Sequence, residues 1–131
     1  MKNIISALAI FGITATAFVS NQSFAQSSKI EEFNVVGNEP FWNIQVTKKS
    51  IVHKALGKQN QIFPYSAPLS AQGRPVNKVR VYQLRGKGNN ILILNKVENC
   101  SDTMSDKKYP YSATLIMGNQ VFEGCAERKF K

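Results

Sequence analysis

The sequence predicts an all-β fold, a small antiparallel barrel or sandwich of about seven or eight short strands carrying one disulfide. Three observations predict it. Short runs alternate apolar and polar residues between turn signals, as in Trp42 to Thr47 and Tyr111 to Met117. No segment holds ten residues of clean helical period. Two cysteines, Cys100 and Cys125, remain in a small chain that reads as exported.

The N-terminus carries the export reading. Lys2 gives a short positive region, Ile4 to Val19 an apolar stretch diluted by Ser6, Gly12, Thr14 and Thr16, and Ser23-Phe24-Ala25 a small-residue cleavage site. Residues 1–25 are therefore expected to be a signal peptide cleaved before Gln26. The alternative is an uncleaved anchor, but a spanning helix wants about 20 strongly apolar residues. Residues 26–131 are expected to form a single β domain, periplasmic or secreted and not an integral membrane protein. No cysteine follows the apolar run, so there is nothing to lipidate.

Within that domain, residues 26–32 are polar and expected to fray. Trp42, Ile44 and Val46 alternate with Asn43, Gln45 and Thr47. Ser50 to Leu56 holds a shorter run around Ile51-Val52. Gln61 to Tyr65 reads as an edge strand, because Pro64 cannot donate to a ladder on both sides. Pro68, Gly73 and Pro75 mark a long loop. Val79 and Val81 then alternate with Arg80 and Tyr82. Gly86 to Asn90 is a turn, and Ile91-Leu92-Ile93-Leu94, apolar on both faces, reads as a central strand. Ala113, Leu115 and Met117 share one face. Gly118-Asn119 is a tight-turn signal, and Val121-Phe122 begins the last strand.

The cysteines test this arrangement. A bridge from Cys100 to Cys125 closes a loop of about 25 residues and stabilises by roughly 3–4 kcal/mol in the chain-entropy model. In a meander, the strands before Cys100 and before Cys125 lie two spacings of about 4.8 Å apart. That exceeds the usual Cα separation of about 4.4–6.8 Å. Cys100 must therefore fold across the end of its strand, or the sheet must curl. Free thiols or a metal site are the alternatives, and the lone histidine, His53, is far away in sequence.

Removing Lys2 leaves 16 Lys and Arg against 8 acidic residues, a net charge of +8. That favours anionic partners such as lipid headgroups or cell-wall polymers. Nucleic acid is not an expected partner of an exported chain. The cations run from Lys48-Lys49 to Arg128-Lys129, which fits general surface charge better than a dedicated patch.

Two segments could carry chemistry. Asp102 and Asp106, in the segment Cys100 to Pro110, could be read as a metal or acid–base pair. Ser101, Asp102 and Ser105 fit turn closure better, and four oxygen ligands for calcium are not evident. Glu39, in Gly37 to Trp42, could be an acid, but a glycosidase mechanism wants a second carboxylate opposite it. The plainer reading is a turn feeding a strand whose Trp42 plugs the barrel end. His53 has no triad partner in its neighbourhood. Gly86-Lys87-Gly88 is too short to cradle a phosphate. No catalytic residue, metal or cofactor is expected. Glu39, Trp42, Asp102, Met104, Asp106 and Tyr109 remain candidates for interaction or for structure.

Together, Gly37-Asn38-Glu39-Pro40-Phe41-Trp42, the set Cys100, Asp102, Met104, Ser105, Asp106, Tyr109 and Pro110, and Gly124-Cys125-Ala126 resemble a family of small, mostly uncharacterised exported bacterial envelope proteins. The resemblance implies an envelope location and a shared disulfide, and brings no catalytic residue or ligand with it. Related-looking modules include inhibitors of c-type lysozyme and META domains. The chain lacks clear hallmarks of either, and it departs from lipoprotein-type relatives in having no lipidation cysteine.

The resulting expectation is an exported non-enzymatic envelope domain, binding or structural, with an anionic envelope component or a protein as partner. The alternative is an inhibitor of a lysozyme-type hydrolase. Basic c-type lysozymes would repel a +8 chain, whereas an acidic hydrolase would not. A third possibility, an enzyme pairing Glu39 with Asp102 or Asp106, requires those carboxylates to converge in one cleft.

Overall fold

The computed structural model describes residues 10–17 and 29–130. Residues 10–17 are exposed and carry no regular secondary structure. The expected positive N-terminus and the Ser23-Phe24-Ala25 cleavage site lie outside the described residues. Among the described residues, no helix is long and apolar enough to cross a membrane.

The domain is all-β, a single antiparallel sheet of nine strands. They are β1 (Phe33–Gly37), β2 (Trp42–Val46), β3 (Ser50–Ala55), β4 (Gln61–Pro64), β5 (Leu69–Ser70), β6 (Val79–Gly86), β7 (Gly88–Ser101), β8 (Lys108–Met117) and β9 (Gln120–Arg128). The spatial order is β4-β3-β2-β1-β9-β8-β7-β6-β5. The sheet curls until β4 approaches β6. There the Phe63 ring packs on Gly86, and Ser66 Oγ donates to the Gln83 carbonyl at 3.3 Å. The strand count exceeds the expected seven or eight through β1 and the two-residue β5.

The inward face is filled. Phe33, Val35, Ile44, Val46, Ile51, Leu92, Leu94 and Leu115 are all buried, with Tyr82 and Tyr111 between them. Each such aliphatic or aromatic side chain stabilises the fold by about 1.5–3 kcal/mol on burial. β6 turns Arg80, Tyr82 and Leu84 inward, and leaves Val79 and Val81 half-buried on the outside. β7 is hydrogen-bonded on both sides, as the double-sided run from Ile91 to Leu94 requires.

The turns sort into two poles. Those after β1, β3, β6 and β8 lie at one pole, and the chain enters β1 and leaves β9 at the other. Phe33 pairs with Arg128, and the Lys129 N–H donates to the Glu32 carbonyl at 2.8 Å.

Candidate functional site

Three surface features draw on the residues singled out above. The first is the pole built around Trp42. Its indole is 2% exposed and lies over Gly37 and Gly124. A Cβ at Gly37 would overlap the indole ring, and one at Gly124 would stand 3.0 Å from it. Gly37 thus makes room for the indole, while Gly124 makes room first for the Val36 carbonyl, which its Cβ would overlap, and then for the indole edge. Above it opens a cleft of about 230 Å³, lined in part by Phe41, His53, Lys58, Gln59, Gln61, Met117, Gln120 and Phe122. The Trp42 ring stands 6.5 Å from both His53 and Phe122, tilted against each. Burial holds the His53 pKa below its ordinary value; a hydrogen bond with Gln61 opposes this, and Lys58 adds to it. Buried Asn90 braces the same pole, donating to the Lys87 carbonyl at 3.3 Å and accepting from the Gly118 N–H at 3.1 Å.

The second feature is the stapled loop. Cys100 and Cys125 are bonded, with Cα atoms 5.7 Å apart. The bridge spans from β7 to β9 because the β7 register shifts between Lys96 and Cys100. Three residues of β7 there, Val97 to Asn99, face the single Pro110 of β8, and the bulged strand bends. The loop folds back over Ser112, Thr114 and Glu123. Within it, Asp102 Oδ1 accepts from the N–H groups of Met104 (3.0 Å) and Ser105 (3.1 Å), and Oδ2 accepts from the Tyr109 hydroxyl at 3.2 Å. The Met104 amide leads the groups that hold the Asp102 carboxyl below its usual pKa. Ser101 Oγ accepts from Thr103 N–H, and Ser105 Oγ from Lys107 N–H. This is turn-closing chemistry. Tyr109 is buried, with Lys107 Nζ 4.8 Å from its ring centroid. Met104 projects, 74% exposed, and Asp106 is exposed.

The two distinctive segments meet. Asn38 Nδ2 donates to the carbonyl of Asp102, so the β1–β2 turn rests against the stapled loop. Glu39, beside Asn38, is exposed at positive φ and precedes a cis Pro40. What crosses to the Asp102 backbone is the Asn38 amide. The Asp102 carboxylate is taken up by its own loop. Among the described residues, no group of three or more His, Cys, Asp or Glu could hold a metal.

The third feature, at the opposite pole, is a buried charge. Arg80, with 4% of its side chain exposed, binds Glu31 at 2.6 Å through Nη2. Its Nη1 donates to the Asn77 carbonyl at 2.9 Å. The guanidinium carbon stands 5.1 Å from the Phe33 ring centroid and 5.4 Å from that of Tyr111. The second oxygen of Glu31 binds Arg128 at 2.5 Å. Burial pushes the neighbouring Tyr82 hydroxyl well above its ordinary pKa. Sequence reasoning passed over Arg80. The available signal was its spacing of two and four residues from Tyr82 and Leu84, which puts all three on one strand face. Comparison with protein-family models, curated proteins and solved structures found no match to this chain.

Proposed function

We propose that the chain is an exported, non-catalytic domain of the bacterial envelope that binds an anionic envelope component. The observation that carries this reading is the imbalance of exposed charge. Among the described residues, fourteen exposed Lys and Arg, of which Lys107 and Arg128 are ion-paired, stand against four exposed Asp and Glu. The other acidic groups are largely spent inside the molecule. Glu31 serves Arg80 and Arg128, Glu127 serves Lys107, and Asp102 closes its loop. A packed interior favours a surface-binding role over an enclosed ligand. The Cys100–Cys125 bridge fits an oxidising compartment.

Co-sedimentation with purified cell wall and with anionic vesicles tests the reading. Binding is expected at low salt, with loss as the Debye length falls to about 3 Å near 1 M. Failure to bind either material at low salt would sink the proposal.

A hydrolase inhibitor is the second reading, and the stapled loop favours it. Met104 is an apolar tip on a segment fixed by a disulfide and by Asp102, and such preorganisation lowers the entropy lost on docking. Assays on acidic muramidases at micromolar protein should then show inhibition that Met104→Ala weakens; no inhibition rejects it.

A further inference from the structure

We propose that Arg80 and Arg128 form a carboxylate-binding site that Glu31 fills from within the chain, and that a carboxylate-bearing polymer binds there by taking the place of Glu31. The proposal rests on the envelope-binding reading and gives it a site.

The site is built around one buried cation. The Arg80 guanidinium lies against the Phe33 and Tyr111 rings and has no route to water of its own. Its Nε at 2.7 Å and its Nη2 at 2.6 Å converge on one oxygen of Glu31, and Arg128 takes the other oxygen at 2.5 Å. Asn77 holds Nη1 from the far side. One edge of the planar fork is thus given over to a carboxylate, the anion whose geometry it matches.

The occupant differs in kind from the groups that hold it. Arg80 lies in β6 and Arg128 ends β9, whereas Glu31 comes from residues 29–32, which carry no regular secondary structure. A hollow of about 530 Å³ opens on one side of this segment, against Tyr65, Pro68, Val76 and Tyr82. Another of about 470 Å³ opens on the other, against Arg128, Lys129 and Phe130, with Glu32 in its lining. The Glu31 side chain is 33% exposed and that of Arg128 42%. An incoming carboxylate therefore reaches Arg128 before Glu31 has left Arg80. A buried guanidinium stripped of its partner is strongly destabilising, so Glu31 leaves only as another anion arrives. The step is an exchange of carboxylates, not a simple opening.

That exchange selects the ligand. A carboxylate tethered by a short segment acts at an effective concentration of millimolar order. A dilute monocarboxylate cannot displace it. A polymer with carboxylates along its length can, because those that do not reach Arg80 meet Lys29 and Lys129 beside the second hollow and the positive field of the domain.

The first test empties the site. In Glu31→Ala the Arg80 guanidinium has lost its carboxylate. Acetate at fixed ionic strength should then raise the unfolding temperature, where chloride does not. If Glu31→Ala does not fold in chloride, recovery of the fold in acetate is the same supporting result. The Glu31→Ala, Arg80→Met variant has the net charge of the unaltered chain and should not respond. An equal response in both variants, or none to acetate at hundreds of millimolar, would overturn the proposal. The second test is calorimetric titration with poly(glutamate). Glu31→Ala should bind it about tenfold more tightly than the unaltered chain, because the internal competitor is gone. Glu123→Ala makes the same charge change at an exposed position of β9 and should stay within about twofold of the unaltered chain. An equal gain from Glu123→Ala would assign the effect to the general field and reject the site. So would tighter binding of polyphosphate than of poly(glutamate) to Glu31→Ala. Cell-wall co-sedimentation separates the two readings. Loss of binding in the Glu31→Ala, Arg80→Met variant supports the site. Full retention rejects the site and leaves the envelope-binding reading standing, and only failure of the unaltered chain to bind removes that reading.

Discussion

The two poles of the sheet are closed by opposite chemistry. At one, Trp42 lies over two glycines and excludes water by apolar contact. At the other, Arg80 sits between Phe33 and Tyr111 and is neutralised by Glu31. Burial of the indole is favourable in itself, because its surface is mostly apolar. Burial of the guanidinium is not, and stands only while its partner is in place. The Trp42 pole is thus held by shape and the Arg80 pole by a pair.

Removing each plug should break this contrast in a different way. Trp42→Ala is expected to have the largest effect, about 3–5 kcal/mol, since it deletes a buried aromatic and leaves a cavity. A urea midpoint measurement checks it, and a loss under about 1 kcal/mol would mean that the pole is not packed as described. Glu31→Ala comes next. Breaking a fully buried pair costs about 3–5 kcal/mol; Glu31 is one-third exposed, so about 2 kcal/mol is expected. Adding Arg80→Met should recover most of it, because an apolar isostere needs no counter-charge. If the double variant is no more stable than Glu31→Ala, the pole does not depend on charge pairing. Gly37→Ala sharpens the shape side of the comparison. It inserts a methyl where the indole lies and should cost about 1–3 kcal/mol by overpacking. Paired with Trp42→Ala, most of that cost should vanish.

The smallest expected effect is a pH dependence. His53 is held below its ordinary pKa of 6.5 chiefly by burial. Below pH 6.5 the unfolded chain therefore takes up a proton more readily than the folded one. Stability from this site is complete above pH 6.5, declines as pH falls, and levels off below the folded pKa. His53→Gln should flatten that part of a stability–pH profile. Asp102 acts in the same direction at lower pH, because its carboxylate is stabilised by its own loop.

Much of this was legible in the sequence, and what was missed has physical reasons. Strict alternation located β2 and β8, and the span of β6 but not its buried face, which carries Arg80, Tyr82 and Leu84 rather than Val79 and Val81; Pro64 marked β4 as an edge. β1 was not marked, because Val35-Val36 breaks the alternation and a polar stretch precedes it. β5 is too short to show a period. Arg80 reads as a surface residue until its strand face is known, since an isolated charge is rarely buried. Cysteine count indicated the bridge, and meander geometry required a bend, but nothing in Val97-Glu98-Asn99 announces the register shift that supplies it. Gly37 and Gly124 look like turn residues. Gly37 serves Trp42 as its partner across the β1–β2 hairpin, whereas Gly124 meets it only because β9, far off in the chain, pairs with β1, which no local pattern records.

The pairing of Phe33 with Arg128, and of Glu32 with Lys129, brings the two ends of the domain side by side at the Arg80 pole. A short linker could therefore join residues 30 and 130, keeping Glu31 in place for Arg80 and Arg128, with new ends opened in the exposed segment around Gly73. Such a circular permutant would keep every strand neighbour. Its new ends would leave both poles, the Trp42 cleft and the Arg80 pair, with the neighbours they have now.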